Sequence, residues 1–401
     1  MKEGWTYKKL GEVCDTINGL WKGKKPPFVN VGVIRNANFT KDFTLRFDNI
    51  EYLDVEERQY SKRKLQKGDL IVEKSGGSEK QPVGRAVLFD RENGEYSFSN
   101  FTSVLRVKDK NTLLSEFLYK FLLFIYKRGD TCTMQKATTG IHNIEFEKYL
   151  NLDVPCIPLA EQRSIVTRLD AAFSHIDALK ANAEKQLNEA RKLFQASLKE
   201  MLEPKEGWEE KAIKDFATDM YRGSGVKRDQ VTEEGISCVR YGEIYTKYNF
   251  HFSKCASHTL TEYVNSPKYF EYGDILFAIT GESVEEIGKS IAYTGKEKCI
   301  AGGDIVVMKH NYEPRYISYA LSTPSAIKQK GHGKTKLKVV HTNIPSLKEI
   351  ILPIAPKDEQ IKISDTLDSL KSKVDRLQAN YEKISQECDA LKQALFRPVF
   401  E

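Results

Sequence analysis

The sequence predicts an α+β chain: two pseudo-repeated mixed α/β domains joined by two long helices that form an antiparallel coiled coil. Three observations predict it. Landmarks of the first half return in the same order in the second half. Each half closes on an unbroken apolar stripe at helical spacing. The remainder of each half consists mostly of short β-branched and aromatic runs between glycine-rich turns.

The repeat sets the domain plan. Gly4-Trp5 returns as Gly207-Trp208, and Leu10 and Val13 return as Ile213 and Phe216. "VIRN", Val33 to Asn36, returns as "CVRY", Cys238 to Tyr241, which sets Arg35 opposite Arg240. "KGDLIVEKSGGS" from Lys67 returns as "YGDILFAITGES" from Tyr272, pairing Asp69 with Asp274. "HNIEFEKYLNL" from His142 returns as "TNIPSLKEIIL" from Thr342, and Glu161-Gln162 returns as Glu359-Gln360. A period of roughly 200 residues is far too long for a solenoid repeat. It describes one module written twice: a first domain over 1–157, a long helix over 158–203, a second domain over 204–353 and a second long helix over 354–401.

Inside each domain the strands come first. "DLIVE", "RAVLF" and "SVLRV" in the first copy, and "DILFAI", "KSIAY" and "DIVVM" in the second, have strand length and composition. Ser75-Gly76-Gly77-Ser78 and Gly302-Gly303 read as turns. One helix is expected near Leu114 to Tyr126 and another near Tyr316 to Lys328. The expectation is a twisted, mostly antiparallel sheet in each domain.

The long helices follow. In the second, Ile363, Leu367, Leu370, Val374, Leu377, Tyr381, Ile384, Cys388, Leu391 and Leu395 alternate steps of four and three, the pattern of a coiled-coil seam. The first runs Ile165, Leu169, Ala172, Ile176, Leu179, Ala183, Leu187, Ala190, Phe194, Leu198, Met201, and two four-four steps make it drift from a strict seam. At about 1.5 Å per residue such helices are roughly 60 Å long. One small domain cannot cover a stripe of that length, so the two helices are expected to cover each other. Pro204 and Pro398 are expected to end them.

Composition narrows the function. The chain carries 62 Lys plus Arg against 56 Asp plus Glu, a net charge of +6 that permits a polyanionic partner without demanding one. The longest apolar run, Phe117 to Tyr126, is interrupted by Lys120 and falls well short of the roughly 20 residues a membrane span needs. The N-terminus has no apolar core of a signal peptide. Seven Cys without a C-x-x-C suit a reducing cytoplasm.

Catalytic patterns are missing. No G-x-x-x-x-G-K-[ST] is present, and no glycine-rich turn follows a strand as a nucleotide fold needs. Cys255 with His258 has no second pair to complete a zinc site. "NSPKY", Asn265 to Tyr269, departs from an N-P-P-Y methyltransferase motif at Ser266 and Lys268 and reads as a loop. Asp69 and Glu73 resemble part of a nuclease cluster, but the second copy has no acid at the Glu73 position, so a Gly-Asp turn opening a strand explains both. The chain reads as non-catalytic.

The layout resembles the specificity subunit of type I DNA restriction–modification systems, along essentially the whole chain. The resemblance is carried by "IPLAEQRSIVTRLD" and "APKDEQIKISDTLD", the Gly-Asp strand openings at Gly68 and Gly273, the Trp5 and Trp208 starts, and Asn143-Ile144 with Asn343-Ile344. The second copy departs from the first with Ala355-Pro356-Lys357-Asp358 in place of Pro158-Leu159-Ala160. The resemblance implies that each globular part is a target recognition domain reading one half of a bipartite DNA site. It implies that the helices set the gap and dock two methyltransferase subunits, with restriction subunits as possible further partners. No cofactor is expected in this chain; S-adenosylmethionine is expected on the methyltransferase partner. A prokaryotic cytoplasmic location follows, with no membrane partner.

Charged and polar clusters on matched loops then become DNA-contact candidates. In the first domain they are Lys22, Lys24 and Lys25; Arg35; Lys74 through Lys80, including Ser78; and Lys136 with Thr138, Thr139 and His142. In the second they are Arg222, Lys227 and Arg228; Arg240-Tyr241; Thr280 to Ser283, including Glu282; and Lys334 and Lys336 in "GKTKLK". Lys and Arg mainly position phosphates, while Arg, Glu and Ser also reach base edges. Arg35 and Arg240 form the leading pair, an ion pair inside the fold being the competing reading. The alternative function is a coiled-coil scaffold that never reads DNA; a stand-alone enzyme is weaker still.

Overall fold

A computed structural model describes residues 4–401 except Lys22, Lys80, Thr139, Glu285 and 332–339. It divides into two compact units, one of residues 1–183 with 382–401, the other of residues 184–381. Each unit therefore holds one globular domain, part of the first long helix and part of the second.

In the first unit, Thr6–Lys9 pairs antiparallel with Asp153–Cys156, closing the domain just before the first long helix. A four-stranded antiparallel sheet runs in the order Cys14–Asn18, Thr102–Val107, Leu70–Glu73, Ala86–Leu88. Its central strand reads as a continuous apolar run because both faces are covered. Leu70 and Val72 face a core with Phe117, Phe121 and Leu122 of the helix Ser115–Arg128, while Ile71 faces Ile34, Phe98 and Val104. A second sheet sets Phe28–Ile34 between Glu51–Glu56, antiparallel, and Tyr96–Phe98, parallel. A third joins the hairpin Gln135–Thr138 and Ile141–Ile144 to Ser75–Gly77.

The second unit repeats this plan. Glu209–Ala212 pairs with Ile351–Ile354. Asp219–Arg222, Ile305–Lys309, Ile275–Ala278, Ser290–Tyr293 and His251–Phe252 form a five-stranded sheet. Ile236–Val239 lies between Ser257–Thr259, antiparallel, and Cys299–Ala301, parallel, with Tyr269–Phe270 beyond. Thr280–Gly281 pairs with Val340–His341.

Two expectations need adjusting. Each domain holds several small sheets rather than one; after Glu73 the chain of the first copy leaves its main sheet, and Ser75–Gly77, with Gly76 at φ 105, pairs with the hairpin instead, as Thr280–Gly281 pairs with Val340–His341. The helix expected near Tyr316 to Lys328 is two, Pro314–Ala320 and Pro324–Gly331, since Pro324 has no N–H to continue the first.

The long helices are Leu159–Met201 and Lys357–Phe400. In the first unit they run antiparallel: Phe173 stacks edge-on against Phe396 at 5.2 Å between centroids, Ile176 meets Cys388, and Lys180 lies 3.9 Å from Asp389. In the second unit Phe194, Leu198 and Leu202 share a core with Ile363 and Leu367, and Arg191 donates to Gln378, again antiparallel. Leu179 and Leu391, expected in the seam, are exposed, at 56% and 50%. A straight helix drifts about 20° per heptad against a 3.5-residue repeat, and the stripe moves from Cys388 to Leu395, Phe396 and Phe400. Pro398 does not end the second helix, which continues to Phe400. Phe396 and Phe400, one turn apart, are buried among Phe117, Phe121 and Phe124, and that packing holds the last turn.

The Glu-Gln repeat has a structural purpose. Gln162 is fully buried; its Oε1 accepts from Leu114 N (2.8 Å), and its Nε2 donates to Thr112 O (2.9 Å) and Ile157 O (2.8 Å). Gln360 does the same in the second unit, accepting from Glu313 N (3.0 Å) and donating to Ala355 O (2.7 Å). Leu114 and Glu313 are the residues that cap the domain helices. One carboxamide therefore ties each long helix to the start of its domain's own helix.

Candidate nucleic-acid interface

In the first unit the turn after Phe28–Ile34 carries Arg35 and Asn36. The Arg35 N–H donates to Asn38 Oδ1 (2.8 Å), and its guanidinium pairs with Glu51. Asn36 Nδ2 donates to Ser75 O (2.6 Å), tying this turn to the segment after the Gly-Asp strand. That segment in turn pairs with the hairpin, His142 facing Gly77 and Asn143 facing Ser75. Arg35, Lys74, Ser78, Lys136 and His142 are thereby brought to one region. Ser78 Oγ accepts from Gln81 N in an exposed turn, and Lys136 lies 3.1 Å from Glu145. Burial lowers the pKa of the Lys74 ammonium. Thr138 ends its strand in the same hairpin.

The second unit builds the same arrangement with different residues. The Arg240 N–H donates to Glu243 Oε2 (2.9 Å), and its guanidinium approaches the same carboxylate at 3.5 Å. It caps the helix Tyr241–Thr246, whose first residue is 40% exposed. Tyr245 OH donates to Thr280 O (3.1 Å), as Asn36 does to Ser75. Thr280 also meets His341 Nδ1 at 3.2 Å, and Glu282 is exposed beside it. Glycine leaves room beside both tethers: a Cβ on Gly281 would press on the Tyr245 hydroxyl at 2.9 Å, and one on Gly76, already at positive φ, would crowd Asn36 Nδ2 at 3.2 Å.

Matched polar atoms stand open in the two copies. Arg35 Nε and Arg240 Nε are buried without a protein partner. His142 Nδ1 and Thr342 Oγ1 are too, but they are not counterparts: Ile144 N donates to Lys74 O as Thr342 N donates to Ile279 O, so the sequence pairing of His142 with Thr342 shifts by two residues and Thr342 stands where Ile144 does. Buried polar groups are normally paired. Both copies thus leave hydrogen-bonding capacity at the same arginine. The ion pairs do not exhaust the two arginines.

Other candidates lie apart. The backbone N–H groups of Lys24 and Lys25 each donate to Glu56 (3.3 Å), opposite Phe28, so the seven-residue strand, roughly 20 Å long, separates them from Arg35. Lys227 and Arg228 are exposed in a turn held by Gln230. Arg222 pairs with Asp304 at 2.6 Å. Lys22, Lys80, Thr139, Lys334 and Lys336 lie outside the described residues.

The acids considered for catalysis are engaged. Asp69 takes Arg106 through both oxygens (2.7 Å each) and accepts from Gln66 N; Glu73 takes Arg85 (2.8 and 3.1 Å). Asp274 repeats the Asp69 role with Lys309 and Glu271 N. Asn265 to Lys268 is a loop, with Ser266 at φ 52, leading into the strand Tyr269–Phe270. Among the described residues no three His, Cys, Asp or Glu side chains are grouped to hold a metal, and no helix is long and apolar enough to cross a membrane.

Sequence reasoning passed over Asn36 and Tyr245, whose tethers depend on tertiary contact. It also passed over Trp21 and Phe101, which are 66% and 53% exposed. The signal for Trp21 was present: a tryptophan directly before "KGKK".

Two unlike copies of one module, each with an arginine-capped turn tied to a Gly-Asp strand and each sharing an antiparallel helix pair, define a duplicated recognition architecture. The chain belongs to the family described as type I restriction modification DNA specificity domain, whose profile matches residues 2–189 and again 205–386. It is 23% identical to the type I restriction enzyme EcoKI specificity subunit of Escherichia coli K12 over 439 aligned positions, covering 100% of this chain and 89% of that one. It is 26% identical to the StySPI specificity subunit of Salmonella potsdam over 47% of this chain and 39% of that one. Among solved structures, a chain from a study of type I restriction–modification complex assembly and conformational transition superposes with a TM-score of 0.73 at 16% identity, over 98% of this chain and 97% of that one. The HsdS subunit of Thermoanaerobacter tengcongensis superposes at 0.54 and 17%, over 98% and 96%.

Proposed function

We infer that this chain is the DNA-recognition subunit of a type I restriction–modification complex. Each globular domain reads one half of a bipartite site, and the paired helices set the number of unread base pairs between the halves. The observation that carries this reading is the duplicated turn: Arg35 and Arg240 stand at the same place, beside a side chain that bonds the same strand carbonyl, Ser75 O or Thr280 O, with the same open Nε. An arginine held by one acid yet still carrying a free donor is suited to a phosphate or a guanine edge. The residues around the two arginines differ, so the two half-sites differ.

The chain contributes recognition, and methyl transfer belongs to partner subunits. Two methyltransferase subunits dock on the long helices, where Leu179, Leu193 and Leu391 present exposed apolar side chains at helical positions. S-adenosylmethionine is held by those partners, restriction subunits join the same complex, and the assembly works in the prokaryotic cytoplasm. The test is co-purification with a methyltransferase partner followed by mapping of methylated adenines. Two partner copies per chain and methylation confined to a split sequence are expected. Methylation without sequence preference, or no complex, contradicts the reading.

A further inference from the structure

The two copies differ most sharply where Trp21 and Phe101 stand. Strand registers fix the correspondence. Leu70 and Ile275 lie opposite Leu105 and Met308 in their sheets, so Phe101 corresponds to Asp304. Leu20 N donates to Phe98 O as Ser224 N donates to Ala301 O (2.9 Å each), so Trp21 corresponds to Gly225. In both copies a glycine lets the two backbones touch. A Cβ on Gly19 would fall 2.0 Å from Ser99 O, and one on Gly223 would fall 2.2 Å from Gly302 O.

On this shared frame the first copy places two exposed aromatic rings. Their backbones are anchored. Leu20 bridges Ser99, and Lys74 N and Ser75 N both donate to Phe101 O (2.9 and 3.3 Å). The exposed rings therefore sit on a fixed platform rather than a loose loop. Lys74 is bonded beside Phe101, and Lys24 and Lys25 follow Trp21 in the sequence. The second copy has no aromatic at either position. It has Gly225 and Asp304, and Arg222 pairs with Asp304.

Resting on the DNA-recognition reading above, we propose that Trp21 and Phe101 are specificity-determining residues of the first domain that contact thymine 5-methyl groups in the major groove, a contact the second domain does not make. Exposed apolar rings beside Lys74 match a duplex edge on which methyl groups lie between phosphates. Of the four bases only thymine offers a methyl there. In the second domain, the charged pair at the same place suits hydrogen-bonding base edges instead.

The experiment uses the complete complex with its methyltransferase partner and a duplex carrying the methylated motif of this system. Thymines in each half-site are replaced singly by deoxyuridine, which removes only the methyl. The half-site read by the first domain should contain a thymine whose replacement weakens binding by about fourfold per lost methyl contact. Trp21→Ala or Phe101→Ala should shrink that thymine–uracil affinity ratio toward one at the thymine each ring contacts, whatever the change in overall affinity. Thymines of the other half-site should be insensitive to both substitutions. The proposal is overturned if the first half-site has no thymine, if uracil binds equally well at every position, or if both substitutions weaken binding with the thymine–uracil ratio intact. That last result would make the rings a wedge or a protein contact. A complex that does not separate the motif from scrambled duplex would overturn both this proposal and the recognition reading, whereas split-site binding without methyl sensitivity overturns this proposal alone.

Discussion

Replacing Gln162 with leucine tests how the first domain is held to its helix. The leucine keeps most of the side-chain volume but removes one acceptor and two donors at a fully buried position. Leu114 N–H loses its partner at 2.8 Å, and two carbonyls, Thr112 O and Ile157 O, lose a donor. A buried group left unpaired costs about 1–3 kcal/mol. The amide N–H carries most of this, because each carbonyl has a second lone pair, so a loss of about 3 kcal/mol is expected. Trp5 and Trp21 lie in the first unit and Trp208 in the second, so a Trp208→Phe background lets fluorescence report on the first unit alone. With a urea slope of about 2–3 kcal/mol per molar, the midpoint should fall by about 1 M. Gln360→Leu, which removes one acceptor and one donor, should cost the second unit about 2 kcal/mol. A Gln162→Leu midpoint within about 0.2 M of the parent would refute the argument that the carboxamide clamps helix to domain.

Other substitutions probe separate parts of the account. Phe396→Ala should destabilise the first unit by about 3–5 kcal/mol although it lies near the end of the second copy, because its ring is buried among Phe124, Phe173 and Phe400; the same fluorescence assay reads it. Burial holds the Lys330 ammonium down at about 7 from an ordinary 10.5. Between those values the unfolded chain binds a proton that the fold does not, so the penalty is full below pH 7 and disappears as pH rises toward 10.5. Stability of the second unit relative to Lys330→Met should therefore climb by about 2 kcal/mol from pH 7 to pH 9, read by urea unfolding at each pH. Burial pushes the Asp368 carboxyl up, but hydrogen bonds from His251, Tyr319 and Arg315 outweigh it and hold the group at about 2. Its stabilisation is present above the ordinary 3.8 and is lost as pH falls toward 2. Asp368→Asn should cost about 1–3 kcal/mol at neutral pH, and the difference from the parent should shrink below pH 4 in acid titrations followed by circular dichroism.

The sequence made the repeat, the helices and their antiparallel pairing legible because these leave periodic or duplicated traces. Arg35 and Arg240 were found by position in the repeat, and the Gly-Asp openings by their turn chemistry. The composition of each unit was not legible. Nothing local to Phe396 says that it completes a core begun at Phe117, or that Phe194 packs near Phe250, since that depends on where the partner helix ends. The buried glutamines were noticed as a motif, but their role depends on backbone groups about fifty residues away in sequence. Trp21 and Phe101 stayed hidden for a similar reason. Eighty residues apart, they are linked through the bridge between Leu20 and Ser99, and their contrast with Gly225 and Asp304 emerges only when strand registers are aligned.

The most direct test of the central claim exchanges residues 1–155 for those of a related specificity chain, leaving the second domain and both long helices in place. Methylated adenines are then mapped across the genome of cells carrying the hybrid and its methyltransferase partner. The account predicts that one half of the split motif changes while the other half and the gap remain. A motif altered in both halves, or in neither, would contradict the assignment of one half-site to each domain.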